Sequence, residues 1–162
     1  MKTKILFAIF LIVLVSCDKE NNKPSDEFKL KSNQYTGFSF EQMKVINYPS
    51  TESIKPDFFV AAQTLDNGDV VSPFFSNPDM ESRFFLSGSI ENYERALNEY
   101  NTIAIPENFQ LEQFALNLQP NQVWLIKTNS EKYGVLLIES AEFNNFNDTP
   151  YAETAFKARI IN

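Results

Sequence analysis

Val123-Trp124-Leu125-Ile126-Lys127-Thr128, a polar turn, and then Tyr133-Gly134-Val135-Leu136-Leu137-Ile138 are the residues whose reading decides the fold. Within them, residues 123–126 and 135–138 are apolar without alternation, as strands covered on both faces are, and each run is too short for a buried helix. Residues 128–132 join the two as a hairpin. A sheet with two dry faces needs a layer of structure on each side.

Working outward, residues 112–118 alternate in polarity, as does the end of the chain, where Ala152, Thr154, Phe156, Ala158 and Ile160 oppose Glu153, Lys157 and Arg159. Period-two alternation of this kind marks strands with one wet face. Residues 58–65 and 69–75 flank Asp66-Asn67-Gly68, and an Asn-Gly pair tolerates the positive φ angles of a tight hairpin turn. Phe38 and Phe40 against Ser39 and Glu41 give another strand, with shorter candidates at 43–47 and 83–86.

Between the strands, Ile90, Tyr93, Leu97 and Tyr100 recur at helical spacing opposite Glu91, Glu94, Arg95, Asn98 and Glu99. This predicts a helix over 90–100 capped by Ser89, and Pro106 permits at most a second, short turn. The expected class is α+β, mainly β: a curved or folded-over antiparallel sheet of about seven or eight strands with one covering helix.

The N-terminal part has a different composition. Lys2 and Lys4 precede an unbroken apolar run over residues 5–15, which is ended by Ser16, Cys17, Asp18, Lys19 and Glu20. Eleven apolar residues suit the core of a secretory signal peptide but fall short of the roughly 20 that a spanning helix needs. Residues 18–33 alternate charge signs and hold few apolar groups, a tether composition. The expected organisation is a signal peptide over 1–16, Cys17 and a flexible tether over 17–33, and a single domain over 34–162, close to the common size for one domain.

Leu14-Val15-Ser16-Cys17 resembles the lipobox of bacterial lipoproteins. That resemblance implies cleavage before Cys17, a thioether-linked diacylglyceryl group on its sulfur, and anchoring in membrane lipid by two or three acyl chains, such as palmitate. It also implies a place in the bacterial cell envelope, at the outer membrane. The run Cys17-Asp18-Lys19-Glu20 resembles the acidic export tags of surface lipoproteins of the Bacteroidota, and reads equally well as the start of a polar linker. The membrane face therefore stays open. The hairpin at 123–138 also looks like the paired C-terminal strands of small Bacteroidota lipoproteins, some of which, the haemophore type, hold haem iron through histidine or methionine. This chain has no histidine, and its domain has only Met43 and Met80, which read as packing residues, so no cofactor is expected.

Charge and composition exclude several activities. Without the leader, 12 basic residues face 21 acidic ones, a formal charge of −9, and no basic stripe is present to displace counterions from a nucleic acid. With no histidine and one cysteine, the chain can assemble neither a conventional zinc, copper or non-haem iron site nor an internal disulfide. Histidine-dependent triads are likewise excluded, and no Gly-x-Ser-x-Gly or Ser-x-x-Lys stands in for them in the domain. The four glycines, at 37, 68, 88 and 134, are too scattered to cradle a phosphate. Carboxylate pairs remain, Asp66 with Asp69 and Glu139 with Glu142, although Asn67-Gly68 already explains the first as a hairpin turn. No catalytic or metal-binding residue is expected.

The doublets Phe58-Phe59, Phe74-Phe75 and Phe84-Phe85 are the most unusual feature, because neighbouring strand residues point to opposite faces and both faces are then aromatic. Either further layers cover both faces, or one face is an exposed aromatic groove for an apolar or sugar ligand. Trp124 reads as core, or as the lining of such a groove. The expected function is a non-enzymatic lipoprotein whose domain binds a ligand or docks on an envelope partner. The alternatives are a structural lipoprotein of an envelope complex and a hydrolase working through carboxylates alone.

Overall fold

The computed structural model describes residues 27–49, 54–146 and 148–161. The segments expected to be the signal peptide, the lipobox with Cys17 and the first part of the tether lie outside the described residues. Among the described residues, nine strands form two antiparallel sheets with one α-helix, a mainly β member of the α+β class.

The two continuous apolar runs are the interior strands of the larger sheet. β7 (Gln122–Lys127) pairs with β8 (Tyr133–Phe146), opposing Trp124 to Leu136 and Leu125 to Val135. β8 then pairs along its length with β9 (Thr149–Ile161), far beyond the short runs visible in the sequence. β6 (Phe84–Ser89) and β1 (Glu27–Lys31) complete a sheet ordered β1-β9-β8-β7-β6. The smaller sheet is ordered β3-β2-β4-β5, from β2 (Thr36–Ser39), β3 (Lys44–Asn47), β4 (Phe58–Thr64) and β5 (Val70–Ser76). The hairpin turn between β4 and β5 has Gly68 at φ 87, as the Asn-Gly pair demands.

The principal core lies between the sheets. Phe38, Phe58, Phe75, Phe84, Phe156, Leu30, Ile126, Leu136 and Ile138 are wholly buried there. Their rings meet tilted or edge to face, with Phe58 and Phe75 centroids 4.7 Å apart and Phe38 at 87° to Phe156. Gly134 is part of this fit: a Cβ there would fall 2.3 Å from Cζ of Phe40, so the absent side chain lets that ring lie against β8.

A second, smaller core lies on the other face of the larger sheet, where α1 (Tyr93–Thr102) lays Ala96 and Tyr100 on Val123, Leu125, Val135 and Leu137. The apolar runs in β7 and β8 thus serve two cores at once.

Three expectations are corrected. Residues 27–31 are not tether: β1 pairs with β9 from Glu27 against Lys157 to Lys31 against Glu153, and Leu30 is wholly buried. Phe28 and Leu30 alternate with Lys29 and Lys31, a strand pattern hidden in a charged stretch. The helix begins at Tyr93, where the Asn92 side chain accepts from the amides of Glu94 and Arg95, while Ser89 ends β6. Residues 112–118 form no strand. They cross from one sheet to the other, Glu112 bridging Phe84 on the β6 edge and Ala115 bridging Phe75 on the β5 edge, so both edges are covered by one segment.

Candidate functional site

The outer faces of the two sheets differ. On the larger sheet, α1 covers β7 and β8, an aromatic cluster of Phe85, Phe109 and Tyr133 lies beside it, and ion pairs occupy the side toward β1 and β9. Glu153 takes Lys29 at 2.7 Å and Lys31 at 3.1 Å, and Lys157 takes Glu139 at 3.2 Å. Hydrogen bonds from Lys29 and Tyr151 hold the Glu153 carboxyl down at about 2, while burial and that same carboxylate push the Tyr151 hydroxyl up to about 12.

The outer face of the smaller sheet is aromatic instead. Because Phe58 and Val60 enter the core, pleating turns Phe59, Ala61 and Gln63 outward on β4, opposite Ser76, Phe74 and Ser72 on β5. The crossing segment adds Phe114 and Leu116, and the turn after β5 adds Met80. Phe59, Gln63, Phe74 and Ser76 with these three wall a groove of about 390 Å³. Phe74 meets Phe114 edge to face at 5.8 Å, and Leu116 and Met80 stand 41% and 52% exposed at the groove. Its polar contribution is small: Ser72 donates to Gln63 at 2.9 Å, and the Ser76 hydroxyl faces the Met80 sulfur at 3.5 Å. An apolar hollow with a few neutral polar groups is the usual form of a small-molecule site.

The Phe doublets therefore divide. Phe58, Phe75 and Phe84 are core; Phe59 and Phe74 line the groove; Phe85 is covered by Phe109, whose ring continues to Tyr133. Trp124 is core, 2% exposed, its indole N–H donating to Gln122 at 3.0 Å. Met80 joins the groove, while Met43 stands apart from it. Neither Met80, Phe114 nor Leu116 carried a sequence signal for this role, because their meeting depends on the path of the crossing segment.

Neither carboxylate pair lines the groove. Asp66 and Asp69 sit exposed in the β4–β5 turn, with Asp69 bound to Asn67 through side chain and backbone. Glu139 accepts from Tyr93 and pairs with Lys157, whereas Glu142 stands across from Glu153. Among the described residues no group of three or more cysteine and acidic side chains is placed to hold a metal ion.

A second cleft, of about 470 Å³, is charged and lies where the β7–β8 turn meets the smaller sheet. Its cations are already engaged: Lys55 with Asp79 at 3.0 Å, and Arg83 with Glu81 at 2.8 Å, with Asp79 at 3.5 Å and with the Asn129 side chain. Beneath it Asp57, 2% exposed, accepts from the backbone amides of Phe40 at 2.7 Å and Asn129 at 2.6 Å. Burial pushes its carboxyl up, against the pull of those two amides and of Arg83. Asn129 returns hydrogen bonds to the carbonyls of Lys55 and Pro56. The cluster ties the larger sheet to the smaller one.

Fold and site define a class: a two-sheet β domain with a helix closing one outer face and an aromatic groove open on the other. No protein-family model, curated protein or solved structure matches the chain.

Proposed function

We propose that this chain is a lipid-anchored protein of the bacterial cell envelope whose β domain binds a small apolar ligand, without catalysis, in the groove between Phe59, Phe74 and Phe114. One observation carries the binding reading: the larger sheet's outer face is filled by the helix, the Phe85–Phe109–Tyr133 cluster and ion pairs, while the smaller sheet leaves an apolar hollow of about 390 Å³ facing out. Apolar surface of that kind, rimmed by polar groups, is characteristic of recognition sites. The anchoring reading rests on Leu14-Val15-Ser16-Cys17 and the apolar run before it.

The two parts are tested separately. Mass spectrometry of the chain purified from bacterial membranes should find Cys17 as the first residue, carrying acyl chains; an unmodified Cys17 within an uncleaved chain overturns the anchor. For the groove, the neutral fluorophore N-phenyl-1-naphthylamine should bind the soluble chain beginning at residue 18, with blue-shifted emission. Leu116→Asp places a charge at the groove on an exposed side chain. It should weaken that binding at least about tenfold while changing stability by no more than about 0.5 kcal/mol.

A further inference from the structure

A second hollow adjoins the groove, sharing Phe59, and its chemistry differs. It measures about 450 Å³ and is walled by Tyr35, Tyr48 and Phe59, with Ser32, Asn33 and Thr36 beside them. Tyr48 and Phe59 lie nearly parallel, 11° apart with centroids at 5.6 Å, one ring stacked in offset on the other. Among the described residues that line it, none is charged. Thr36 Oγ1 is buried and has no hydrogen-bond partner.

Tyr35 is the most telling member. Its ring is 76% exposed, so it contributes little to the core, yet its backbone is left-handed at φ 51, a conformation that costs an L-residue on the order of 1 kcal/mol. The carbonyl of Tyr35 accepts from the amide of Tyr48 at 2.7 Å, which fixes the loop that presents the ring. The left-handed backbone ends the 3-10 turn Ser32–Gln34, so it is the exposure of the ring beside Tyr48 and Phe59 that points to something met outside the domain.

We infer that this hollow is a binding site for a neutral saccharide. A sugar ring offers an apolar C–H face to an aromatic surface and a rim of hydroxyls to neutral donors and acceptors, the two kinds of group present here. A charged ligand would find no counter-ion among these residues, and a purely apolar one would cover the exposed amide of Asn33 without offering it a partner. The apolar groove is not required for this binding.

The test uses the full chain in phosphatidylcholine vesicles and saturation-transfer NMR with hexasaccharides of glucose, xylose, mannose and N-acetylglucosamine. At least one of the four should show saturable transfer that empty vesicles lack. Tyr35→Asn removes the ring but keeps a residue that accepts the left-handed backbone, so folding is preserved; it should weaken the interaction at least about tenfold. Tyr35→Phe keeps the stacking surface and should bind within about twofold of the unaltered chain. The inference is overturned if none of the four sugars binds, or if Tyr35→Asn binds as tightly as the unaltered chain.

Discussion

Asp57 shows how much a single buried side chain holds together in this domain. Its two oxygens receive amides from Phe40 and Asn129, groups 17 and 72 residues away, one just past β2 of the smaller sheet and one in the β7–β8 turn of the larger. Removing the carboxylate leaves the buried Phe40 amide without a partner and unties the Asn129 turn. Asp57→Ala is therefore expected to lower stability by about 3 kcal/mol, read as a lower urea midpoint at unchanged slope. Glu153 acts with pH. Its carboxyl is held at about 2 against an ordinary 4.5, so the folded chain gives up this proton more readily than the unfolded one. The stability it supplies is complete above about pH 4.5 and is lost as pH falls toward 2. Asp57, pushed upward by burial, has the opposite slope. Glu153→Gln isolates the first: below pH 4.5 its stability should fall less steeply with acid than that of the unaltered chain, as measured by thermal melts across the range.

At the level of elements, the strands that were plain in the sequence are those whose burial is settled by their own pattern. β7 and the start of β8 are apolar on both faces because two cores claim them, and the β4–β5 hairpin is announced by Asn67-Gly68. β1 was hidden because Lys29 and Lys31 serve ion pairs with Glu153 on the outer face, and the charges of such a pair resemble those of a linker. Residues 112–118 failed in the other direction: alternation reports which side chains are buried, not whether the backbone finds a partner strand. A direct check of β1 is Leu30→Ala. In a strand with Leu30 wholly buried, the substitution should cost about 3 kcal/mol in urea denaturation, whereas in a tether it would be silent.

For the molecule as a whole, the asymmetry of the two outer faces is the central fact. A helix seals Val123, Leu125, Val135 and Leu137, with Phe85, Phe109 and Tyr133 packed together beside it and ion pairs toward β1 and β9. The smaller sheet carries Phe59 and Phe74 outward with walls only at the sides. The sequence marked only part of this site: the doublets showed that both faces of these strands are aromatic, without telling which Phe of each pair meets the core or whether the other is covered. It did not mark Met80, Phe114, Leu116, Tyr35 or Tyr48, because each reaches the site through a loop whose course is set by tertiary packing. The most direct test is to map amide shifts by NMR as N-phenyl-1-naphthylamine is titrated into the chain beginning at residue 18. The largest shifts should fall on residues 59–63, 72–80 and 114–116. Largest shifts on α1 and the strands beneath it, or no saturable shifts anywhere, would contradict the account.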